Sequence, residues 1–283
     1  MTAPAADPGR RIAAVVSDVD GTLVRRDKSL SEATREAVRD LSRAGIGFAV
    51  VSSRPPRGMM SIVQDLGVST LIAGFNGGVI ATAALQTLEQ HLLSPDVARR
   101  AVEGLRARGA DVWVFSGLDW LVNDPTASKV AHETHTVGFD PVVVDDFGAA
   151  PDAVGKIVGV SENPALLNRC EADLTRELSG AASVSRSQAY YLDITHPLAN
   201  KGAALRAIAR QLNIPLSEVA VIGDGPNDVA MFGQGAFSIA MGNGEPAVRQ
   251  AADAVTASNE EDGFAEAMHR FVLPEVLAGK ASP

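Results

Sequence analysis

Ile12-Ala-Ala-Val-Val-Ser-Asp-Val-Asp-Gly-Thr22 decides the fold. Its first five residues are apolar without a polar face, the pattern of a short strand buried on both sides. Asp18 and Asp20 follow at i and i+2, which point the same way in an extended chain, so the two acids converge on one site. Gly21 lets the chain turn away behind them. Two carboxylates this close repel unless a cation or a proton is shared, and oxygen-only ligands suit hard Mg²⁺. Taken by itself, Asp-x-Asp-Gly is also an ordinary polar turn, so the rest of the chain has to decide.

Downstream the same style repeats. Ser29 and Glu32 read as a capping box, with Ala33, Ala37, Val38 and Leu41 at helical spacing and Gly45 as a stop. Residues 48–51 read as a second buried strand, 59–66 as a short helix and 70–73 as a third strand. Strand and helix in alternation signify a parallel sheet with crossover helices. The pattern changes near Ala81. Strand-like pieces at 88–93, 112–115, 120–122, 142–144 and 157–160 have short connections, with helices opened by Ser94-Pro95 and Asn163-Pro164. A helix from about Gly202 to Leu212 and buried strands at 219–222 and 237–240 return to the first style. The expected architecture is α/β: a Rossmann-like parallel-sheet core over 11–81 and 192–283, an α+β domain inserted over 82–191, and a flexible N-terminus over 1–10.

Composition narrows the function. The 283 residues suffice for two domains, and 46% hydrophobic with 21% charged residues excludes a largely disordered chain. A net charge of −9 argues against nonspecific binding to nucleic acid or to an anionic membrane. A small phosphorylated substrate stays compatible, because a bound cation reverses the local field. One cysteine, Cys170, excludes an intrachain disulfide and fits a reducing compartment. With no apolar run of signal or spanning length near the start, the expectation is a soluble cytoplasmic protein, a monomer or small homo-oligomer.

The remaining polar motifs sit at strand ends. Val221-Ile-Gly-Asp-Gly-Pro-Asn-Asp228 places Asp224 where a strand stops, and Asn227 with Asp228 in the first turn of the next helix. Ser52-Ser53-Arg54 ends the second strand, and Asn76-Gly-Gly78 follows the third. Lys201 opens a helix, where its charge opposes the dipole. Each has a plain reading as turn, cap or solvated lysine. Together they say more, because open α/β sheets bind ligands beyond the carboxyl ends of their strands. Asp18, Ser52, Asn76 and Asp224 each stand just past a core strand. Carboxylates for a cation, with hydroxyl, amide, lysine and arginine for an anion, make a phosphate–Mg²⁺ site.

The ordered set Asp18-Val-Asp-Gly-Thr22, Ser52, Lys201 and Gly223-Asp-Gly-Pro-Asn-Asp228 resembles the four motifs of the haloacid dehalogenase superfamily. Asn76-Gly77, the insertion after the third strand and Asn200-Lys201-Gly202 resemble, more closely, its Cof-type phosphatases, which carry a large α/β cap. The resemblance covers the chain past Arg10, and departs at Ser53, where many relatives have glycine. It implies hydrolysis of phosphomonoesters of small metabolites, sugar phosphates foremost. Asp18 would be the nucleophile that forms an aspartyl-phosphate, and Asp20 the acid and base. Asp18, the Asp20 backbone carbonyl and Asp224 would hold Mg²⁺, with Asp228 either orienting that shell or reaching the ion. Ser52 and Lys201 would bind phosphoryl oxygens, and Gly21, Thr22, Arg54, Asn76, Gly77 and Asn227 would complete the substrate site.

Other features carry less. The histidines of His132-Glu-Thr-His135 stand at i and i+3, one residue short of the zinc helix pattern, and an exposed cap helix explains them better. Cys170 reads as a packed thiol, and Trp113, Trp120, Tyr190 and Tyr191 as cap core. His196 fits either the cap hinge or a substrate contact, Arg57 is a second candidate for an anion, and Asn243 is either a turn residue or a rim contact. Two rivals share the motifs: a sugar phosphomutase using the same aspartate, and a non-catalytic phosphate sensor, against which the intact acids and Lys201 argue. A receiver-type phosphoacceptor domain has no place for the insertion.

Overall fold

The computed structural model describes residues 11–67, 71–147, 153–235 and 237–273. The expectation for residues 1–10, and Thr70 at the start of the third strand, lie outside them. The opening strand is β1 (Ala14–Asp18), buried along its whole length. Then follow β2 (Gly47–Val51), β3 (Leu71–Gly74), β4 (Val79–Thr82) and β5 (Thr87–Gln90). The middle of the chain supplies β6 (Asp111–Ser116), β7 (Asp119–Val122), β8 (Val142–Val143), β9 (Val154–Val160), β10 (Ser183–Gln188) and β11 (Tyr191–Thr195). The last strands are β12 (Val219–Gly223), β13 (Phe237–Ala240) and β14 (Ala254–Val255).

These strands make two sheets, in the orders β14-β13-β12-β1-β2-β3-β4-β5 and β10-β11-β9-β6-β7-β8. The first is parallel from β14 to β3, and β4 and β5 extend it as antiparallel strands. The division by sheets differs from the expected boundaries at 81/82 and 191/192. β5 belongs to the first sheet and all of β11 to the second, so the chain crosses near residues 91–94 and returns near 196–200. β4 is four residues long and follows the turn at Phe75–Gly77 almost directly. At the two crossings the rings of His91 and His196 stack with centroids 5.4 Å apart.

Period-two burial explains the layers of the first sheet. Val15, Val50, Ile72 and Ile222 face α1 (Glu32–Arg43) through Ala37, Val38 and Leu41. Ala14, Val16, Ala49 and Val221 face the opposite way, with Ala204, Leu205 and Ile208. Ser31, not Ser29, caps α1: its Oγ accepts from Thr34 N at 3.0 Å, while Ser29 turns to Asp27. The true cap stands directly before the helix, as capping geometry requires. α2 (Met60–Leu66) follows a 3₁₀ turn at Pro56–Met59.

The second sheet has two unlike faces. One, with Val112, Val114, Ile157 and Leu192, packs on α3 (Pro95–Ala107) and on a later helix containing Leu167, Cys170 and Leu174. The other carries Trp113, Phe115, Trp120, Val158 and Tyr191 toward α4 (Val130–Val137) and the first sheet. The later helix, α5 (Pro164–Glu177), is capped by Asn163, and α6 (Lys201–Leu212) by Asn200. Cys170 is a buried free thiol, and Trp113, Trp120 and Tyr191 are buried, with Tyr190 half-buried beside them. Gly155 makes room for the first sheet to touch the second, since a Cβ there would lie 2.7 Å from the Phe75 ring.

Candidate active site

β1, β2, β3 and β12 end on one side of the first sheet, and their ends bring the expected polar residues together. Lys201 is the pivot. It is 2% exposed, which excludes a solvated lysine, and its Nζ donates to Asp18 Oδ1 at 2.5 Å and to Asp228 Oδ1 at 2.6 Å. The first turn of a helix is a poor place for a cation, and these two carboxylates offset that cost. Burial disfavours the charged ammonium, but Asp18 and Asp228 outweigh it and raise its pKa above the ordinary lysine value.

Asp18, Asp224 and Asp228 each offer an oxygen within 4.8 Å of the others. Burial pushes Asp18 well above the usual carboxylate range, and the repulsion of Asp228 and Asp224 adds to it against the pull of Lys201. Asp224 is raised in the same way, by burial first and Asp228 second. With all three ionised, the carboxylates exceed the one ammonium by two negative charges, the repulsion that raises Asp18 and Asp224, and the donors are all oxygen. That set fits Mg²⁺ in charge and in ligand type. Thr22 Oγ1 donates to Asp224 Oδ1 at 3.0 Å, and Asn243 Nδ2 to its Oδ2 at 3.2 Å. Gly21 adopts φ +81°, and a Cβ there would lie 2.2 Å from Asp224 Oδ2, so glycine is what lets this carboxylate approach. Asp228 Oδ2 accepts from the N–H groups of Asp224 and Gly225 at 3.0 and 2.8 Å, which fixes the loop after β12.

Asp20 points elsewhere. Its carboxylate receives Arg54 Nε and Nη2, both at 2.7 Å, and Lys28 Nζ at 2.8 Å. Burial favours the neutral acid, but Arg54 and then Lys28 outweigh it and hold the carboxyl far below its ordinary value. Arg54 Nη1 also donates to Thr136 O at 2.7 Å, so the arginine ties Asp20 to α4. Ser52 is buried and accepts from Arg54 N at 3.1 Å. Asn76, in a left-handed conformation, accepts from Asn227 Nδ2 at 3.0 Å, which links the loops after β3 and β12. Gly77 packs against Ala204 of α6.

The other sequence candidates stand apart. His132 and His135 are exposed on α4, and His132 contacts Tyr190. Arg57 lies over the Phe139 ring. Four residues escaped the sequence reading. Lys28 lies in a turn that nothing local marks as functional. Glu133, between the two histidines, is buried, and burial raises its pKa. Lys156 and Asp193 are buried on the second sheet at a separation of 3.4 Å, and Lys156 Nζ donates across to Ser53 O at 3.1 Å. A lysine and an aspartate inside otherwise apolar strands were the available signal.

The family model of the haloacid dehalogenase-like hydrolases matches residues 15–268, and the chain belongs to that family. It is a Cof-type hydrolase of phosphatase kind. It is 31% identical to the HMP-PP phosphatase of Cronobacter sakazakii, over 81% of this chain and 84% of that one. It is 24% identical to the 5-amino-6-(5-phospho-D-ribitylamino)uracil phosphatase YcsE of Bacillus subtilis, over 92% of this chain and 95% of that one. Among solved structures, a haloacid dehalogenase-like hydrolase from Bacteroides thetaiotaomicron superposes with a TM-score of 0.86 at 27% identity, covering 92% of this chain and 99% of that one.

Proposed function

We propose that the protein is a Mg²⁺-dependent phosphatase that hydrolyses phosphomonoesters of small metabolites, sugar phosphates foremost, through an aspartyl-phosphate on Asp18. The observation that carries this reading is the meeting of buried Asp18 and Asp228 on Lys201, with half-buried Asp224 beside them. Asp18 attacks phosphorus, which splits one hard displacement into two easier ones. Lys201 and Ser52 offset charge that builds on the phosphoryl oxygens. Asp18, Asp224 and the Asp20 backbone carbonyl would hold the cation, which would supply positive charge to offset that of the phosphoryl oxygens. Asp228, with both oxygens engaged by Lys201 and by backbone N–H groups, braces that set.

Asp20 is the acid and base of this reading. Held ionised, it is ready to take a proton from the hydrolytic water. To protonate the leaving alkoxide its carboxyl first has to come away from Arg54 and take up a proton from solvent. It then passes that proton to the alkoxide oxygen as the ester P–O bond breaks. Thr22, Gly21, Asn76, Gly77 and Asn227 shape the rim, and the second sheet acts as a cap that closes over the substrate and keeps water out. A cytoplasmic location belongs to the same reading. Among the described residues no helix is long and apolar enough to cross a membrane. The test is phosphate release by the purified chain from an aryl phosphate and a panel of sugar phosphates, with Mg²⁺ and with a chelator. No release from any of them with Mg²⁺ would overturn it, and isomerised sugar phosphate without release would point to a mutase.

A further inference from the structure

The chain passes between the two sheets twice, near residues 91–94 and 196–200, and a histidine stands at each crossing. The rings of His91 and His196 stack at 5.4 Å with their planes 21° apart, and the mechanism above makes no use of them. Each ring is built into its own crossing. His91 N donates to Gly78 O at 2.7 Å, which holds the outgoing crossing against the residue before β4. His196 Nδ1 accepts from Leu198 N at 3.1 Å, so this nitrogen carries no proton and the neutral ring is the one that fits. The charged groups around the pair come from β5, from α6 and from the opposite imidazole. His91 Nε2 lies 3.3 Å from Glu89 Oε1 on β5, and Glu89 is paired in turn with Arg210 in the last turn of α6. His196 pairs with no carboxylate among the described residues. Burial first, and then the neighbouring His91, hold its pKa below the ordinary histidine value. Glu89 compensates a proton on His91, but nothing compensates a second one on His196.

We propose that the His91–His196 stack is a pH-sensitive latch between the two crossings: it holds them side by side until both rings are charged, and then releases them and loosens the seam between the sheets. Two effects drive the release. The like charges repel across 5.4 Å in a partly exposed setting. A protonated Nδ1 also has no lone pair left for Leu198 N–H. Once the crossings separate, His196 regains its ordinary proton affinity. The stack therefore contributes fully above the ordinary value of 6.5, and its contribution is lost as pH falls below it. The seam follows, because the two crossings are the chain's links between the sheets. Across it the Phe75 ring, in the turn after β3, lies 5.7 Å from Phe115 of β6, and Phe115 stacks on Trp120 at 6.0 Å. Trp113, 5.1 Å from Trp120, completes the row. These are the chain's two tryptophans, both buried where loosening admits water. This inference goes beyond the phosphatase reading and does not rest on it.

The experiment measures acrylamide quenching of tryptophan fluorescence in the full chain at about pH 8 and about pH 5, on either side of the histidine range. The quenching constant should rise about twofold at the lower pH, as the loosened state becomes comparable in population with the latched one. Far-UV circular dichroism should stay the same, and a rise that comes with loss of that signal is unfolding and would overturn the latch. His91→Phe and His196→Phe each keep a ring in the stack but cannot charge it, and each should abolish the rise. No rise in the wild type, or an equal rise in the folded variants, would likewise overturn it. Should a variant fail to fold, NMR titration of the histidine rings in the wild type decides. The His196 ring and the tryptophan quenching should then share one midpoint, below that of an ordinary histidine, and separate midpoints would end the proposal.

Discussion

Lys201 lies 2.5 Å from Asp18 although 183 positions separate them, one opening a helix and the other closing the first strand. The contact is a charge-assisted hydrogen bond between two buried groups, and Asp228 completes it from the loop after β12. Removing the ammonium leaves both carboxylates buried without their cation. Lys201→Met should lower stability by about 3–5 kcal/mol at neutral pH and kcat by about 10²–10³-fold. Denaturant unfolding and steady-state kinetics read the two effects, and loss of less than about 1 kcal/mol would mean that the contact is not made in solution.

Asp18→Asn changes one atom of the cluster and little of its volume. It should reduce turnover by about 10³-fold or more, while the circular dichroism and cooperative unfolding stay those of the parent. Substantial activity in this variant would remove Asp18 from the nucleophile role.

If the acidic cluster holds the proposed cation, metal and protons compete for the same oxygens. Asp18 and Asp224 are held above their ordinary value of 3.8, so through the window just above that value the folded chain binds more protons than the unfolded one. Its metal-free stability therefore falls as pH rises through that window. A divalent cation offsets the repulsion of the ionised pair. Mg²⁺ should accordingly raise the unfolding temperature more at about pH 8 than at about pH 5. Equal gains at both pH values would show that these carboxylates do not share the ion.

Arg54 grips Asp20 with two nitrogens and Thr136 with a third. Lysine keeps the charge but not the fork. Arg54→Lys should therefore cost about 1–3 kcal/mol of stability, and it should let the Asp20 carboxyl titrate closer to its ordinary value. The acid limb of the pH–rate profile would then move to higher pH. A profile superimposable on the wild type would show that Arg54 does not govern this carboxyl.

The core was legible where local and global signals agree. The 12–22 stretch announced a doubly covered strand and its acids, and the strand-end rule gathered Ser52, Asn76 and Asp224 from separate segments. Sequence spacing could not show the direction of a side chain at a loop. Asp20 shares its face with Asp18 only while the chain stays extended, and the turn at Gly21 sends its carboxylate to Arg54 instead. The Ser29–Glu32 box failed because a helix start is set by which residue holds the extended backbone before the first turn, and that residue is Ser31. Lys156 and Asp193 were hidden for another reason. A single charge in a strand tells its face, but only the fold tells what that face meets.

β1 finds its neighbour on one side, β2, within about thirty residues, and on the other side, β12, only after roughly two hundred. While the polypeptide leaves the ribosome, the second sheet therefore emerges complete and can close on itself while the centre of the first still lacks a flank. Until residues 219–228 have been synthesised, Asp18 meets neither Asp224 nor Asp228, and a nascent or prematurely terminated chain has only one of the three clustered carboxylates.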